Sequence, residues 1–277
     1  MKKLFLIAFC SSAFYFADAQ ALKTPQPSTT QTIKQDFGLG TIEISYSRPG
    51  AKGRKIFGDL VPFGKVWRTG ANSATTISFS DDVTIGGTKI PAGKYGLLSI
   101  PGETEWTIII SKQLDVTSPA AYKQESDVVR VAVKPINLPF TTETFTIAIA
   151  SVKDNSCDLQ LSWDKTLVSV PVSTEVDSKV MKQIENTFIK DSRPYFSAAV
   201  YYLENGKDLN QAVAWFDQAI EQNPKAFWVY YQKARALAKL GKKAEALATS
   251  QKSVELAKEA KNDDYVALNE KLQKELK

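Results

Sequence analysis

Hydrophobic and polar residues alternate over much of the chain between about residue 30 and residue 172. The alternating runs are rich in Ile, Val, Thr, Phe and Trp, and Gly, Pro, Asp or Asn residues separate them, which is typical of short β-strands with one buried face. The predicted strands are residues 32–37, 41–47, 74–80, 94–100, 106–111, 127–134, 144–150, 158–163 and 166–172. No helical period lies between them, so the pattern predicts an antiparallel β-sandwich rather than alternating β-α units.

The apolar pattern changes from the strand period to the helical period near Pro171. Apolar residues then recur at every fourth position, which places them on one helical face: Val176, Val180, Ile184 and Phe188. This spacing predicts a connecting helix within residues 173–192. The chain is therefore predicted to have two domains, an N-terminal antiparallel β-sandwich followed by C-terminal α-helical hairpins.

An internal repeat runs through the helical part of the chain. Its first unit has the spacing A-x3-F-x2-A-x4-P, carried by Ala212, Phe216, Ala219 and Pro224. Its second unit has aromatic, small and apolar residues at the matching positions: Tyr230, Ala234, Leu237, Gly241 and Ala246. The pattern resembles the tetratricopeptide repeat, in which small residues let helices approach closely, although Val200 and Lys258 replace an expected glycine and proline. The resemblance implies two tetratricopeptide-like repeats plus a capping helix over residues 193–277.

A long, turn-rich segment separates the predicted strands 41–47 and 74–80. Connections of this length are usually functional or disordered. The apolar residues Ile56, Val61 and Trp67 argue for an ordered loop, because disordered segments lack such anchors. The loop also carries basic and polar side chains: Arg48, Lys52, Arg54, Lys65, Arg68 and Asn72. We therefore expect a rigid loop that presents basic groups on the surface of the sandwich.

The same loop carries a family resemblance. The run GRKIFGDLVPFGKVWRTGANSATTISF, followed by IGGTKIPAGKYGLLSIPGETEWTIIIS, resembles an exported bacterial family known as domain of unknown function 2911, or DUF2911. The resemblance covers roughly residues 30–150, and we assign residues 30–172 to a β-sandwich domain of this kind. It implies an exported protein and brings no established activity with it.

The N-terminus is predicted to be a signal peptide of residues 1–19. Two lysines precede a largely apolar run over residues 4–16 and a small-residue cleavage site that ends at Ala19. The run is too short to span a bilayer, which needs about 20 residues. We expect cleavage after Ala19, a flexible lead-in over residues 20–29, no membrane span and a periplasmic or secreted protein. The alternative is a lipid anchor on Cys10.

The composition removes several classes of active site. The sequence contains no histidine, which excludes a Ser-His-Asp triad, a Cys-His dyad and an imidazole general base. Zinc or copper sites built on histidine or several cysteines are excluded as well, and Cys157 is expected to be a buried structural residue. Calcium or magnesium on carboxylates stays possible, but the sequence has no DxDxDG loop, and we predict no metal and no cofactor. The net charge of +5 is too small to indicate a nucleic-acid partner.

The candidate ligand-binding residues lie in the long loop. The planar fork of an arginine suits carboxylate, phosphate or sulfate groups, and a tryptophan face can stack on a sugar. The candidates are Arg48, Arg54, Trp67, Arg68 and Asn72. The alternative is that the arginines pair with carboxylates and only fix the loop; the available partners are Asp59, Asp81, Glu103 and Glu105.

A second candidate site follows from the repeat resemblance. In tetratricopeptide repeats the first helix of each unit lines a concave groove, and the groove positions here are aromatic, polar and basic: Tyr201, Asn205, Trp228, Tyr231, Arg235 and Lys239. Such a lining suits an acidic or C-terminal peptide segment, so we predict a protein partner. The alternative is that these side chains pack against the β-domain.

The lack of recognisable nucleophiles and bases favours an exported, non-catalytic binding or scaffold protein. Its β-domain would bind a small anionic or glycan ligand, and its repeats would mediate protein contacts. One alternative is a carboxylate-based hydrolase acting on envelope glycans, with Glu103 and Glu105 as its two carboxyl groups. Another is a periplasmic assembly factor in which both domains handle client polypeptide.

Overall fold

The computed structural model of the protein describes residues 24–189 and 194–277. The chain divides into two units, with the boundary between Glu175 and Val176. We call them the β-unit and the helical unit, and their order confirms the predicted β-then-α fold class. The predicted signal peptide, its cleavage site and Cys10 lie outside the described residues, as do residues 190–192 of the predicted connecting helix.

The described part of the β-unit contains ten strands in two sheets. They are β1 (Thr29–Phe37), β2 (Gly40–Arg48), β3 (Thr76–Phe79), β4 (Val83–Ile85), β5 (Thr88–Ile90), β6 (Gly93–Ile100), β7 (Trp106–Ser111), β8 (Asp127–Val133), β9 (Ile136–Ala150) and β10 (Ser156–Thr174). The first sheet has the strand order β1-β2-β3-β6-β7-β8, and the second has the order β5-β4-β10-β9. All of the pairings between these strands are antiparallel.

The inward-facing side chains of both sheets form one core. In β2, Ile42 and Ile44 are buried whereas Glu43 between them is exposed, because successive strand residues point to opposite faces. The same core receives Ile77 from the first sheet and Leu161 from the second. Burying each such side chain contributes about 1.5–3 kcal/mol, so alternation alone accounts for much of the drive to form this sandwich.

Two of the predicted strands, 158–163 and 166–172, are one continuous strand, β10. The predicted break is wrong because Asp164 forms a bulge: the register with β9 shifts on both sides of it, and its φ is +51°. A bulge bends a strand without ending it. β9 in turn begins at Ile136 rather than at residue 144, since an edge strand tolerates a proline such as Pro139.

The start of the long loop, residues 49–75, pairs with the second sheet. The backbone N–H of Phe145 donates to the carbonyl of Pro49 at 2.9 Å, and the N–H of Ala51 donates to the carbonyl of Glu143 at 2.7 Å. The chain thus leaves β2 of the first sheet and runs along the free edge of β9. This pairing satisfies backbone groups that an exposed edge would leave open.

The end of the loop pairs with the first sheet. Trp67 exchanges two backbone hydrogen bonds with Ser99 of β6, at 2.7 and 3.0 Å. Between the two paired ends, Ile56 is 0% exposed and Val61 is 5% exposed. The loop is therefore ordered, as its apolar anchors predict.

The helical unit contains six helices in its described residues. They are α1 (Asp177–Ile189), α2 (Tyr195–Glu204), α3 (Leu209–Gln222), α4 (Phe227–Lys239), α5 (Lys243–Glu259) and α6 (Asp263–Leu276). From α2 onward each helix packs on the next. Small residues stand at the buried contacts, as the repeat pattern predicts: Ala199, Ala212, Ala234 and Ala246. Within the described residues, no helix is both long and apolar enough to cross a membrane.

A buried polar network fixes the last helix in place. Asn269 of α6 is 0% exposed. Its amide donates to the hydroxyl of Ser253 at 2.9 Å and to the carbonyl of Tyr265 at 2.7 Å, and its side-chain oxygen accepts from the hydroxyl of Ser250 at 2.9 Å. Because a buried amide without partners is costly, this network allows α6 essentially one register on α5.

Candidate functional site

A cleft of about 460 Å³ opens beside the long loop of the β-unit. Clefts of this size hold small organic molecules. Loop residues between 54 and 71 form one wall, residues 117–119 between β7 and β8 form the other, and a side chain of β10 contributes as well. The residues that determine its chemistry are Arg54, Leu60, Lys65, Trp67, Arg68 and Trp163.

The side chains of the cleft carry one sign of charge. Arg54, Lys65 and Arg68 line it, and none of its lining residues, all of which lie in the described part of the chain, is acidic. Like charges around a concave surface reinforce one another and concentrate anions. We call this site the cationic cleft.

Arg68, on the loop wall of the cleft, has a buried hydrogen-bond donor. Its Nη1 donates to the backbone carbonyl of Thr117 on the opposite wall. Its Nε is buried and has no hydrogen-bond partner within the described residues. A buried N–H of a guanidinium without an acceptor costs free energy, so this side chain keeps one donor unsatisfied next to the cleft.

The turn after Arg68 holds the guanidinium in place. Thr69 has a φ of +56°, and its hydroxyl lies 2.9 Å from the hydroxyl of Ser99. The hydroxyl of Thr75 donates to the carbonyl of Thr69 at 2.8 Å. At Gly70 a Cβ atom would lie 2.9 Å from the carbonyl oxygen of Ser47, so only glycine fits there. The sequence Arg-Thr-Gly is thus a tight turn whose central residue, Thr69, is held by two hydrogen bonds.

Trp67 forms part of an aromatic floor below the cleft. Its ring stacks on Trp163, with centroids 5.9 Å apart and planes at 16°, and it meets Phe145 edge-on at 4.9 Å. Its Nε1 donates to the carbonyl of Gly70 at 3.0 Å. Such contacts each add about 0.5–1.5 kcal/mol beyond the burial of area. Trp67 therefore joins the loop to the sandwich core and also lines the cleft.

Arg54 is held by its own backbone. Its Nε donates to the carbonyl of Ala51 at 3.0 Å and its Nη2 donates to the carbonyl of Gly50 at 2.7 Å. Lys52 and Gly53 turn the chain between them with φ of +50° and +72°. Because carbonyls carry no net charge, these bonds orient the guanidinium and leave its positive charge intact.

Two of the candidate ligand residues lie outside the cleft lining. Arg48 donates from Nε to the carbonyl of Phe145 at 3.2 Å and from Nη2 to the hydroxyl of Thr146 at 2.9 Å, and so it joins β2 to β9. Asn72 has a φ of +54° and donates to the carbonyl of Ser28 at 3.0 Å. The hydrogen bonds of Arg48, Arg54 and Arg68 described above lead to backbone carbonyls and, for Arg48, to one hydroxyl.

The opposite wall of the cleft was not expected from the sequence. Residues 117–119 belong to the segment between β7 and β8, and three polar side chains hold its end. Tyr122 donates to Oδ2 of Asp127 at 2.5 Å, and Nη1 of Arg130 lies 2.6 Å from the phenol oxygen and 2.9 Å from Oδ2. Burial and the hydrogen bond to Asp127 raise the pKa of Tyr122 to about 12. Tyr122 lies five residues before Asp127 and eight before Arg130, outside the alternating pattern of β8, so no sequence signal joins it to them.

On the first helix of the repeats, the predicted groove residues are tied to their neighbours. The hydroxyl of Tyr201 donates to Oδ1 of Asp177 in α1 at 2.9 Å, and Lys207 donates to Oδ2 of the same carboxylate at 2.7 Å. Together these bonds hold the pKa of Asp177 below its usual value. Asn205 donates to the carbonyl of Tyr201 at 3.0 Å. Tyr201 therefore links α2 to α1 within the helical unit.

On the second repeat, Arg235 is neutralised by an ion pair. Its Nη1 lies 2.6 Å from Oε1 of Glu204, and its guanidinium carbon lies 5.9 Å from the centre of the Tyr231 ring. Lys239 donates to the carbonyl of Leu203 at 3.1 Å. Trp228 is 36% exposed. We call the predicted groove of α2 and α4, defined by its six candidate residues, the concave face.

The two carboxylates of the hydrolase alternative lie away from the cationic cleft. Glu103 and Glu105 are exposed and precede β7 in a turn. Neither lines the cationic cleft, and Glu103 lines a separate depression of about 80 Å³. No group of three or more metal-ligating side chains is found among the described residues.

Both the β-unit and the helical unit match models of known protein families. Residues 28–172 match the model of a protein of unknown function, DUF2911. Residues 192–225 and 215–248 each match a tetratricopeptide repeat. No curated protein and no solved structure matches the chain. A domain of unknown function followed by such repeats suggests a protein-interaction scaffold. The match over residues 28–172 confirms the predicted resemblance, and the chain belongs to the DUF2911 family.

Proposed function

We propose that the protein is an exported, non-catalytic binding scaffold. Its β-unit holds a small anionic ligand in the cationic cleft, and its helical unit holds a protein partner on the concave face. The observation that carries the proposal is the lining of the cleft, which contains Arg54, Lys65 and Arg68 and no acidic residue.

The bonding of the arginines supports an anion rather than a structural role alone. Arg54 and Arg68 donate to backbone carbonyls, so they are oriented without being neutralised. The buried Nε of Arg68 still lacks an acceptor within the described residues. Two fixed guanidinium groups and an ammonium group match the acceptor oxygens of a carboxylate, phosphate or sulfate.

The same geometry favours binding over the hydrolase alternative. Glycoside hydrolysis needs two carboxyl groups facing each other across the substrate at about 5–9.5 Å. The cationic cleft has arginine and lysine where such an enzyme has its carboxyl pair, and Glu103 and Glu105 lie on an exposed turn. A positive site stabilises a bound anion but offers no general acid or base of the required kind.

For the helical unit, the repeat matches support a protein partner. The concave face offers Trp228 with 36% of its surface exposed and Lys239 at the last turn of α4. Aromatic anchors of this kind are enriched at protein interfaces. The expected location, periplasmic or secreted with a signal peptide cleaved after Ala19, belongs to the same proposal and is supported by the order of residues at the N-terminus.

Thermal unfolding with and without inorganic phosphate tests the cleft. A ligand at one hundred times its Kd stabilises the folded unit by about 2.7 kcal/mol. We expect phosphate to raise the unfolding temperature of the β-unit in the wild type but not in the Arg54→Ala, Arg68→Ala double variant. Arg235→Ala, which removes an arginine from the helical unit, is the control and should keep the full shift. An equal shift in all three proteins would refute the site.

Isolation of the exported protein from the producing cells tests the location. N-terminal sequencing should begin at Gln20. A protein that starts at Met1, or one that carries a lipid on Cys10, would contradict the proposal.

A further inference from the structure

The cationic cleft is rich in hydrogen-bond donors and poor in acceptors. Arg54, Lys65 and Arg68 supply only donors, and none of the lining side chains is Asp, Glu, Asn or Gln. Two nearby carbonyls are already engaged: Gly70 accepts from Trp67 and Thr117 accepts from Arg68. A ligand that enters the cleft therefore meets more hydrogen-bond donors than acceptors among the side chains of the lining.

Sugars fit this inventory poorly. Each sugar hydroxyl is a donor as well as an acceptor, and a buried hydroxyl without an acceptor loses the water that satisfied it. The hydroxyl acceptors of the lining are limited to Ser28, Thr117 and Ser118. The cleft thus discriminates against a polyhydroxylated body even when that body carries an acidic group.

The remainder of the lining is apolar. Leu60 is 43% exposed, and Pro62, Val66 and Pro119 stand with it around the cleft. Isolated exposed leucines are ordinary, but one that lies in a concave site beside prolines and tryptophans offers a surface for an apolar group. A volume of about 460 Å³ also exceeds what a single oxyanion fills.

We infer that the cleft selects an organic acid with an aromatic or alkyl body and few donors, and that it discriminates against acidic sugars. This inference rests on the proposed function. The acidic group would lie against Arg68 and Arg54, and the body would cover Leu60 and the edges of the aromatic floor formed by Trp67 and Trp163.

Three probes with the same head group test the inference by calorimetric titration of the full chain. They are inorganic phosphate, phenyl phosphate and glucose 6-phosphate, which pair one head group with no body, an apolar body and a hydroxylated body. We expect phenyl phosphate to bind about ten times more tightly than phosphate, and glucose 6-phosphate to bind no more tightly than phosphate. If glucose 6-phosphate binds as tightly as phenyl phosphate, the inference fails while the anion site stands. If none of the three binds, the proposed function fails.

A surface variant separates the apolar contact from the charge. Leu60→Ser should weaken phenyl phosphate binding about threefold and leave phosphate binding unchanged, because the side chain is exposed and contributes little to folding. Leu268→Ser, at a position of 41% exposure in the helical unit, is the matched control and should change neither. Equal weakening of both probes by Leu60→Ser would overturn the apolar assignment.

Discussion

The cationic cleft and the concave face are built from the same residue types, and they treat charge in opposite ways. In the cleft, Arg68 donates to a backbone carbonyl and keeps its charge. On the concave face, Arg235 lies 2.6 Å from the carboxylate of Glu204 and is neutralised. The comparison teaches that a basic residue beside an aromatic ring does not by itself mark an anion site. What matters is whether its hydrogen-bond partners carry charge.

A second pair of clusters makes the same point for tyrosine. In the β-unit, Tyr122 shares Asp127 with Arg130, and burial raises the pKa of the phenol. In the helical unit, Tyr201 shares Asp177 with Lys207 at an exposed place, and there the pKa of the carboxyl group falls. One arrangement holds a wall of a cleft and the other fastens two surface helices.

The largest expected difference between the two regions concerns their tryptophans. Trp67→Ala should lower the free energy of unfolding of the β-unit by about 3 kcal/mol, because the ring packs on Trp163 and Phe145. Trp228→Ala should lower the free energy of unfolding of the helical unit by less than this, since 36% of the Trp228 surface is exposed. Urea unfolding followed by circular dichroism measures both. Similar losses would remove the distinction between a core anchor and a surface anchor.

The next largest effect is expected for the ionisation of Tyr122, at the end of the segment that forms the second wall of the cleft. Tyr122 should ionise near pH 12 instead of near 10.0. When the pKa of a group is higher in the folded state than in the unfolded state, its stabilisation is complete at any pH below the unfolded-state pKa. That stabilisation is lost as pH rises from the unfolded-state pKa through the folded-state pKa. The tyrosine's contribution should thus persist to about pH 10 and disappear toward about pH 12. The measurement is the difference in phenolate absorbance between the wild type and Tyr122→Phe during an alkaline titration. An ordinary titration near pH 10 would contradict it.

The ion pair of the concave face should contribute little to stability. A double-mutant cycle with Glu204→Ala and Arg235→Ala is expected to give a coupling of about 0.2–1 kcal/mol, because both side chains are partly exposed. The coupling should shrink further at high salt. A coupling well above this range would mean that the pair is shielded from solvent, and the concave face would then be closed rather than available to a partner.

The smallest effect is expected at Asp177. Its pKa is lowered by hydrogen bonds from Lys207 and Tyr201, so its contribution is present above the usual value of 3.8 and is lost as pH falls through the lowered value. Wild type and Asp177→Asn should differ slightly in thermal stability at pH 7 and converge in strong acid. A difference that grows on acidification would show that the contacts of this carboxylate do not stabilise the helical unit.

The strands, turns and repeats could be predicted because their signals are local. Gly86 and Gly87, for example, predict a tight hairpin, and both have positive φ, +56° and +77°, between β4 and β5. The break predicted at Asp164 is wrong because a bulge and a turn use the same polar residues.

Only one of the two walls of the cleft could be predicted from the sequence. The loop that carries Arg54, Trp67 and Arg68 is one contiguous run, and its basic and aromatic content is visible in the sequence. The opposite wall comes from residues 117–119, which meet the loop only through the sheet order. Arg48 could not be separated from the cleft arginines for the same reason, since its partners lie on β9, almost one hundred residues away in sequence.

The attachment of the long loop at both ends has a kinetic consequence. One end is paired with β9 and the other with β6, so the cleft exists before any ligand arrives. A ligand then meets a finished surface, and association carries almost no ordering entropy. Related ligands should therefore reach the site at similar rates, and selectivity among them should be found in how long each one stays.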